Sequence, residues 1–217
     1  MKINLRESIS KTLHELGNDN HYEEGELGYL SLTSKNEFVV RDRLAYKLHK
    51  SLSQKHSKLL VGREVTVEKN RLDIAVLKGD NVICSVELKS SISADLVEAK
   101  RLKHCCNVVR MDIRKSEKVI SQGSDPLGLL VCTHIENKIQ DKFYPLVKYS
   151  KETNRALKIY KSGDPSEDLK QQVLKNVKSR FSNSRKYAII DSGEWDGGVV
   201  PNMGYKVRVL WWLIGKK

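Results

Sequence analysis

The stretch Arg71–Ser91, RLDIAVLKGDNVICSVELKSS, decides how this chain is read. Leu72 to Leu77 is β-branched and apolar, Lys78-Gly79-Asp80-Asn81 has the chemistry of a tight turn, and Val82 to Leu88 is a second apolar run, so the pattern predicts a hairpin. Three charged groups interrupt it. Asp73 stands in the first run, while Glu87 and Lys89 stand in the second at i, i+2, which sends their side chains to one face of the strand. Two carboxylates and an ammonium on otherwise apolar strands are costly unless they pair or hold a metal. The plainer alternative is a solvated hairpin that carries all three on its wet face.

Register is the test. Directly opposed residues of an antiparallel pair share a face, so Asp73 joins Glu87 only if the pairing matches residues of equal parity. The expectation is an odd number of loop residues or a bulge near Gly79. An even loop without a bulge sets Asp73 against Val86, on the wrong side of the sheet.

Asp73 followed by Glu87-Leu88-Lys89 as an E-x-K element resembles the PD-(D/E)XK nuclease superfamily, which includes many restriction endonucleases, Holliday-junction resolvases and repair nucleases. Leu72 stands where the motif has Pro, and the resemblance covers roughly residues 34 to 135. It implies an α/β, restriction-endonuclease-like core: a mixed central sheet, made of an antiparallel three-strand meander plus further strands, flanked by helices. It also implies that Asp73, Glu87 and Lys89 are catalytic, and that Asp73, Glu87 and the Leu88 carbonyl hold Mg²⁺ or Mn²⁺. Hard oxygen ligands suit those ions, and Mg²⁺ keeps several waters, so few protein ligands suffice. Lys89 then orients or deprotonates the attacking water, or stabilises the pentacovalent phosphate. The implied function is a metal-dependent endonuclease hydrolysing DNA, with a type II restriction endonuclease, a phage nuclease and a resolvase all compatible. Many members act as homodimers, and one is expected here. Two rivals stay open: a non-catalytic nucleic-acid-binding protein that keeps the fold, and a nuclease toxin acting on tRNA or DNA.

Composition points toward the same class of partner. The 217 residues suit a single domain, with a catalytic core over 34–135 and an extension over 136–217 that carries nucleic-acid-binding elements. There are 39 Lys+Arg against 27 Asp+Glu, a net charge of +12. Residues 1–34 hold three basic and six acidic groups, so the remainder carries +15, a field that favours a polyanion, most simply double-stranded DNA. No apolar run is long enough to span a bilayer and the chain opens with no signal peptide, so no membrane partner and a cytoplasmic location are expected. Of the four cysteines, Cys84 and Cys132 sit in strand-like runs as small core residues, and His104-Cys105-Cys106 lacks the second ligand pair that zinc requires.

Outside the hairpin, Ile3, Leu5, Ile9, Leu13 and Leu16 predict an opening helix over residues 1–16, and the acidic segment Gly17–Gly28 reads as a loop. Ser34-Lys35-Asn36-Glu37 fits a capping box, opening a helix from about Asn36 to Leu52 with Val40, Leu44 and Leu48 on one stripe. Glu37 falls in the middle of that apolar arc. It either closes the capping box or supplies the additional acidic catalytic residue that the resemblance implies from this helix. Leu59–Glu68 reads as a further strand, completing the meander, with Arg63 and Arg71 at its ends as phosphate ligands or surface charges.

After Lys89, Ser90–Asp95 is N-cap material for a helix running to about Asn107, its buried side marked by Leu96, Ala99 and Leu102 or Lys103. The resemblance implies that this helix lends the site a polar group, for which Glu98 and Lys103 are the candidates. Pro126–Ile135 reads as a buried strand reached by a crossover helix. Residues 138–163 mix seven basic groups, Lys161 among them, with Phe143, Tyr144, Tyr149 and Tyr160, a composition that suits phosphate contact with base stacking or partly buried aromatics beside solvated lysines. Asp164-Pro165 opens a helix with Leu169, Val173, Val177 and Phe181 inward, and Lys170, Lys175, Lys178, Arg180, Arg185 and Lys186 follow with no acid between them. That run is the candidate backbone-binding surface. Two late strands, Tyr187–Ile190 and Tyr205–Ile214, flank a 13-residue loop, SGEWDGGVVPNMG, and Trp211-Trp212 points one indole to each face.

Overall fold

The computed structural model describes residues 4–17, 23–121, 123–160 and 163–217; Ile3 and Lys161 fall outside the described residues. In chain order the elements are α1 (Leu5–Gly17), α2 (Glu26–Thr33), α3 (Asn36–Lys55), β1 (Leu59–Val67), β2 (Asn70–Lys78), β3 (Asn81–Ile92), α4 (Ser93–Val97), α5 (Ala99–Ser116), β4 (Asp125–Ile135), α6 (Ser150–Ile159), α7 (Pro165–Ser182), β5 (Tyr187–Val199) and β6 (Lys206–Lys216). The strands form one six-stranded mixed sheet in the order β1-β2-β3-β4-β6-β5. Only β3 and β4 run parallel. The protein is thus α/β with an antiparallel meander and helices on both faces.

Alternation along the central strands builds both cores. Leu129, Val131, Val209 and Trp211 face α1 and α3, where Ile9, Leu13, Leu44 and Leu48 are fully buried. Leu130, Cys132, Leu210 and Trp212 face α4, α5 and α7. β4 is buried on both sides, which is why Pro126–Ile135 is apolar without a break. All four cysteines are buried and unpaired. The predicted stripe of α7 is buried throughout, and Asp164 caps that helix by accepting from the Ser166 and Glu167 amides. Because β6 inserts between β4 and β5, the last third of the chain completes the sheet instead of hanging beside it. Among the described residues no helix is long and apolar enough to cross a membrane.

Four expectations require correction. The acidic loop ends early, because α2 begins at Glu26 and docks Gly28 against the backbone of Gly197 and Leu27 into the core, a tertiary support with no local signature. The capping box does not form: the Ser34 hydroxyl donates to the Leu30 carbonyl, closing α2, and Lys35 occupies the N-cap of α3 without a side-chain bond. The strand carrying Glu87 continues to Ile92, and the helix after it breaks at Glu98 into α4 and α5, which reaches Ser116; the buried residues of α5 are Cys105, Cys106, Val109, Ile113 and Ser116, while Ala99 and Lys103 are exposed. Most of the predicted 13-residue loop is strand, since β5 runs to Val199 with register shifts after Ile189 and Asp196.

The glycines that suggested a loop there serve close approach instead. A Cβ on Gly193 would lie 2.6 Å from the buried Trp211 indole, which stacks on Trp195. Gly193→Ala is therefore expected to cost about 1–3 kcal/mol, because the added methyl meets the fully buried Trp211 indole. Gly163→Ala, where a Cβ meets nothing within 4 Å, is expected to leave stability unchanged. Urea denaturation of the two variants checks this.

Candidate active site

The β2–β3 turn has two loop residues, Gly79 and Asp80, between the paired Lys78 and Asn81. An even loop alone would misplace the carboxylates. The register shifts between Val76 and Leu77, however, where Leu77 pairs with Val82 but Val76 pairs with Cys84, leaving Ile83 as the extra residue of a bulge. Beyond it Ile74 pairs with Val86, and continuing that register sets Asp73 against Glu87. The bulge thus supplies the parity that the turn lacks.

Pairing of β2 with β3 stops at Ile74–Val86. Leu72 and Ile74 would share a face on a regular strand, yet Leu72 packs with Ala75 and Val82 while Ile74 packs with the core beneath α3. The strand therefore rotates at Asp73, and its neighbour on β1, Glu64, has a left-handed backbone (φ 53°) and drops out of the ladder. Rotation turns the Asp73 carboxylate toward β3, where Oδ2 accepts from the Leu88 amide at 2.8 Å. A side chain here replaces a ladder bond, and the rest of β3 is left open on that side.

Glu87 is half-buried and its Oε1 accepts from the Ser116 hydroxyl of α5 at 2.8 Å. Burial pushes the Glu87 carboxyl up to about 7; Asp73 and Asp112 add to the rise and Ser116 opposes it. Lys89 Nζ lies 3.6 Å from Asp112 Oδ2. The polar groups that the helix after β3 brings against Glu87 and Lys89 are Ser116 and Asp112; Glu98 is exposed and lines the larger of the two hollows that meet at Lys89, whereas Lys103 is exposed and lines neither. Sequence reading missed Asp112 and Ser116 because α5 was ended too early. The signal was their spacing, i and i+4, beside the buried Val109 and Ile113.

Glu37 approaches from the first turn of α3, accepting from the Ser90 hydroxyl at 3.4 Å. Since Ser90 alternates with Lys89 on β3, Glu37 reaches the strand from the other side of the sheet. One turn further on, the Arg41 side chain is only 9% exposed and donates to Asp42 and, at 2.7 Å, to Glu64. Burial opposes its charge, but Asp42, Glu64 and Asp73 outweigh that and raise its pKa. Arg63 and Arg71, considered above as phosphate ligands, pair with Asp42 and Glu64. Two hollows meet at Lys89: one of about 210 Å³ lined by Asn36, Glu37, Ser90, Thr133 and Tyr149, and one of about 660 Å³ lined by Ser91, Asp95, Arg101, His104 and Cys105. Asp73 and Glu87 sit beside these hollows and line neither.

The basic run lies elsewhere. α7 packs over β5 and β6, across α5 from the hairpin. Lys170 is held by Glu167 at 2.8 Å and Glu194 at 3.6 Å, and Lys186 by Glu117 at 3.4 Å. Arg180 is half-buried; Lys175, Lys178 and Arg185 are exposed and form no ion pair among the described residues.

No three His, Cys, Asp or Glu side chains among the described residues group closely enough to hold a metal ion. The donor set that does converge is two carboxylates and the β3 backbone. Asp73 uses Oδ2 for Leu88 and Glu87 uses Oε1 for Ser116, which leaves one oxygen of each without a hydrogen bond among the described residues. Hard oxygens of this kind suit Mg²⁺ or Mn²⁺.

A titration follows from Glu87. A carboxyl whose folded pKa of about 7 exceeds its ordinary 4.5 binds its proton more tightly in the folded chain. Its contribution is present below pH 4.5 and lost as pH rises through about 7, provided no divalent cation is bound. In EDTA, Glu87→Gln is expected to gain stability relative to the wild type between pH 5 and pH 8, and Mn²⁺ is expected to stabilise the wild type at pH 8 but not the variant; thermal melts check both. No protein-family model matches the chain, and the comparisons with curated proteins and with solved structures return no match either, so the site stands on its own residues.

Proposed function

We propose that the protein is a metal-dependent nuclease that hydrolyses DNA phosphodiester bonds and leaves a 5′-phosphate. The observation that carries this reading is the rotated Asp73 carboxylate bonded to the β3 backbone between Glu87 and Lys89. A solvated hairpin has no use for a bulge that restores parity, nor for a half-buried glutamate hydrogen-bonded to a helix behind it.

Asp73, Glu87 and the Leu88 carbonyl would hold Mg²⁺ or Mn²⁺. When bound, such an ion supplies charge neutralisation at the phosphate and a water of lowered pKa. The chain's own residues do the rest. Ser116 fixes the Glu87 carboxylate by donating to Oε1. Leu88 fixes Asp73 in the same way. Lys89, tethered to Asp112 and bordering both hollows, is placed to hold the attacking water or to donate to the phosphate oxygens. Glu37, on the far side of Ser90, is placed to orient water entering the smaller hollow. The exposed Lys175, Lys178 and Arg185 add long-range attraction for a polyanion, not contact at the cut.

Cleavage of plasmid and linear DNA in Mg²⁺ and in EDTA tests the reading. Wild type is expected to cut only in Mg²⁺, and Asp73→Ala and Lys89→Ala are each expected to lose at least about 10²-fold in rate, the scale on which a positioned proton-transfer or charge-stabilising group acts. Equal rates in all three proteins would reject it, and retention of DNA by a protein that never cuts would favour a binding module.

A further inference from the structure

Tyr149 is the residue of the smaller hollow for which hydrolysis offers no role. It stands immediately before α6, with φ 59° and ψ 27°, a left-handed backbone rarely taken by a bulky side chain. The surrounding chain enforces it. The Lys148 amide donates to the Leu32 carbonyl at 2.9 Å, the Thr153 amide to the Tyr149 carbonyl at 3.0 Å, and the buried Ser150 hydroxyl to the Val147 carbonyl. Backbones held this way against their preference mark places where a side chain must point somewhere particular. Here the ring is 51% exposed and borders the hollow shared by Glu37 and Lys89.

The other walls show what such a ring would meet. Lys35, also lining the hollow, is exposed, as are Lys148 and Lys151 on either side of Tyr149. A flat aromatic surface in a hollow also lined by Lys35 and Lys89 matches a nucleobase with its phosphate: the ring stacks and the cations take the backbone. A volume of about 210 Å³ has room for one base.

We infer that this hollow receives a single unpaired nucleotide, its base on Tyr149 and its phosphate at Lys89, so that the substrate is single-stranded or locally unpaired next to the cut. The position of the cut rests on the nuclease reading; the binding preference does not.

Binding measured in EDTA, where no hydrolysis proceeds, separates the two. Fluorescence anisotropy with a labelled single strand, the matching duplex and a duplex carrying one bulged nucleotide is expected to show the single-stranded and bulged ligands binding at least tenfold more tightly than the duplex. Tyr149→Ala is expected to remove about tenfold or more of that preference and Tyr149→Phe to keep it, as stacking on a ring requires. A 2-aminopurine at the bulge is expected to be quenched by wild type and Tyr149→Phe but not by Tyr149→Ala. An RNA strand of the same sequence, run in parallel, identifies the sugar preferred. Equal affinity for duplex and bulged DNA, or an unchanged preference in a folded Tyr149→Ala, overturns the inference whatever the cleavage assay shows. Uncut DNA with an intact Tyr149-dependent preference would instead reject the nuclease and leave the inference standing.

Discussion

The Leu88 amide and the Asp73 carboxylate form the bond around which this end of the molecule is arranged. A backbone N–H that loses its ladder partner inside a protein must find another acceptor, and here a charged side chain provides it at 2.8 Å. That substitution lets β2 leave β3 without stranding a buried donor. Divergence of the strands then opens the edge of β3 from Glu87 onward, and the two hollows at Lys89 follow from it.

Everything around the bond keeps the geometry from relaxing. The bulge at Ile83 sets which residues face each other, and the left-handed Glu64 lets β1 follow the rotation of β2. Arg41, almost fully buried, ties α3 to Glu64 and balances the charge at Asp73. From the opposite side α5 presses Asp112 and Ser116 toward Lys89 and Glu87. Burial, with Asp73 and Asp112 nearby, raises the proton affinity of Glu87.

Legibility differed by element. The hairpin and the stripes of α3 and α7 were plain, because period-2 and period-3.6 patterns report directly which face is buried. The opposite placement of Trp211 and Trp212 followed from alternation alone. Glycine misled at Gly193 and Gly197, since a residue chosen for close approach to Trp211 or Gly28 has the same letter as one chosen for a turn. Ser34 and Glu37 matched a capping box in spacing, but Leu30 competed for the serine. The most one-sided charge run, Lys170 to Lys186, proved partly neutralised by Glu167, one helical turn before Lys170, and by Glu194 and Glu117, distant carboxylates that only packing brings to it.

What the amino-acid order settled by itself was local: two apolar runs around a tight turn, with charges at 73, 87 and 89 that an apolar strand does not carry without a reason. Tertiary structure decided the matters that depend on partners far along the chain. It chose the bulge over a straight register, brought Asp112 and Ser116 in from α5, set Tyr149 beside Lys89, and placed the basic face of α7 away from the carboxylates. The physical reason is the same in each case. A side chain's neighbours along the strand or helix follow from backbone periodicity, whereas its neighbours across the sheet follow from how whole elements pack, and no short window of sequence encodes that.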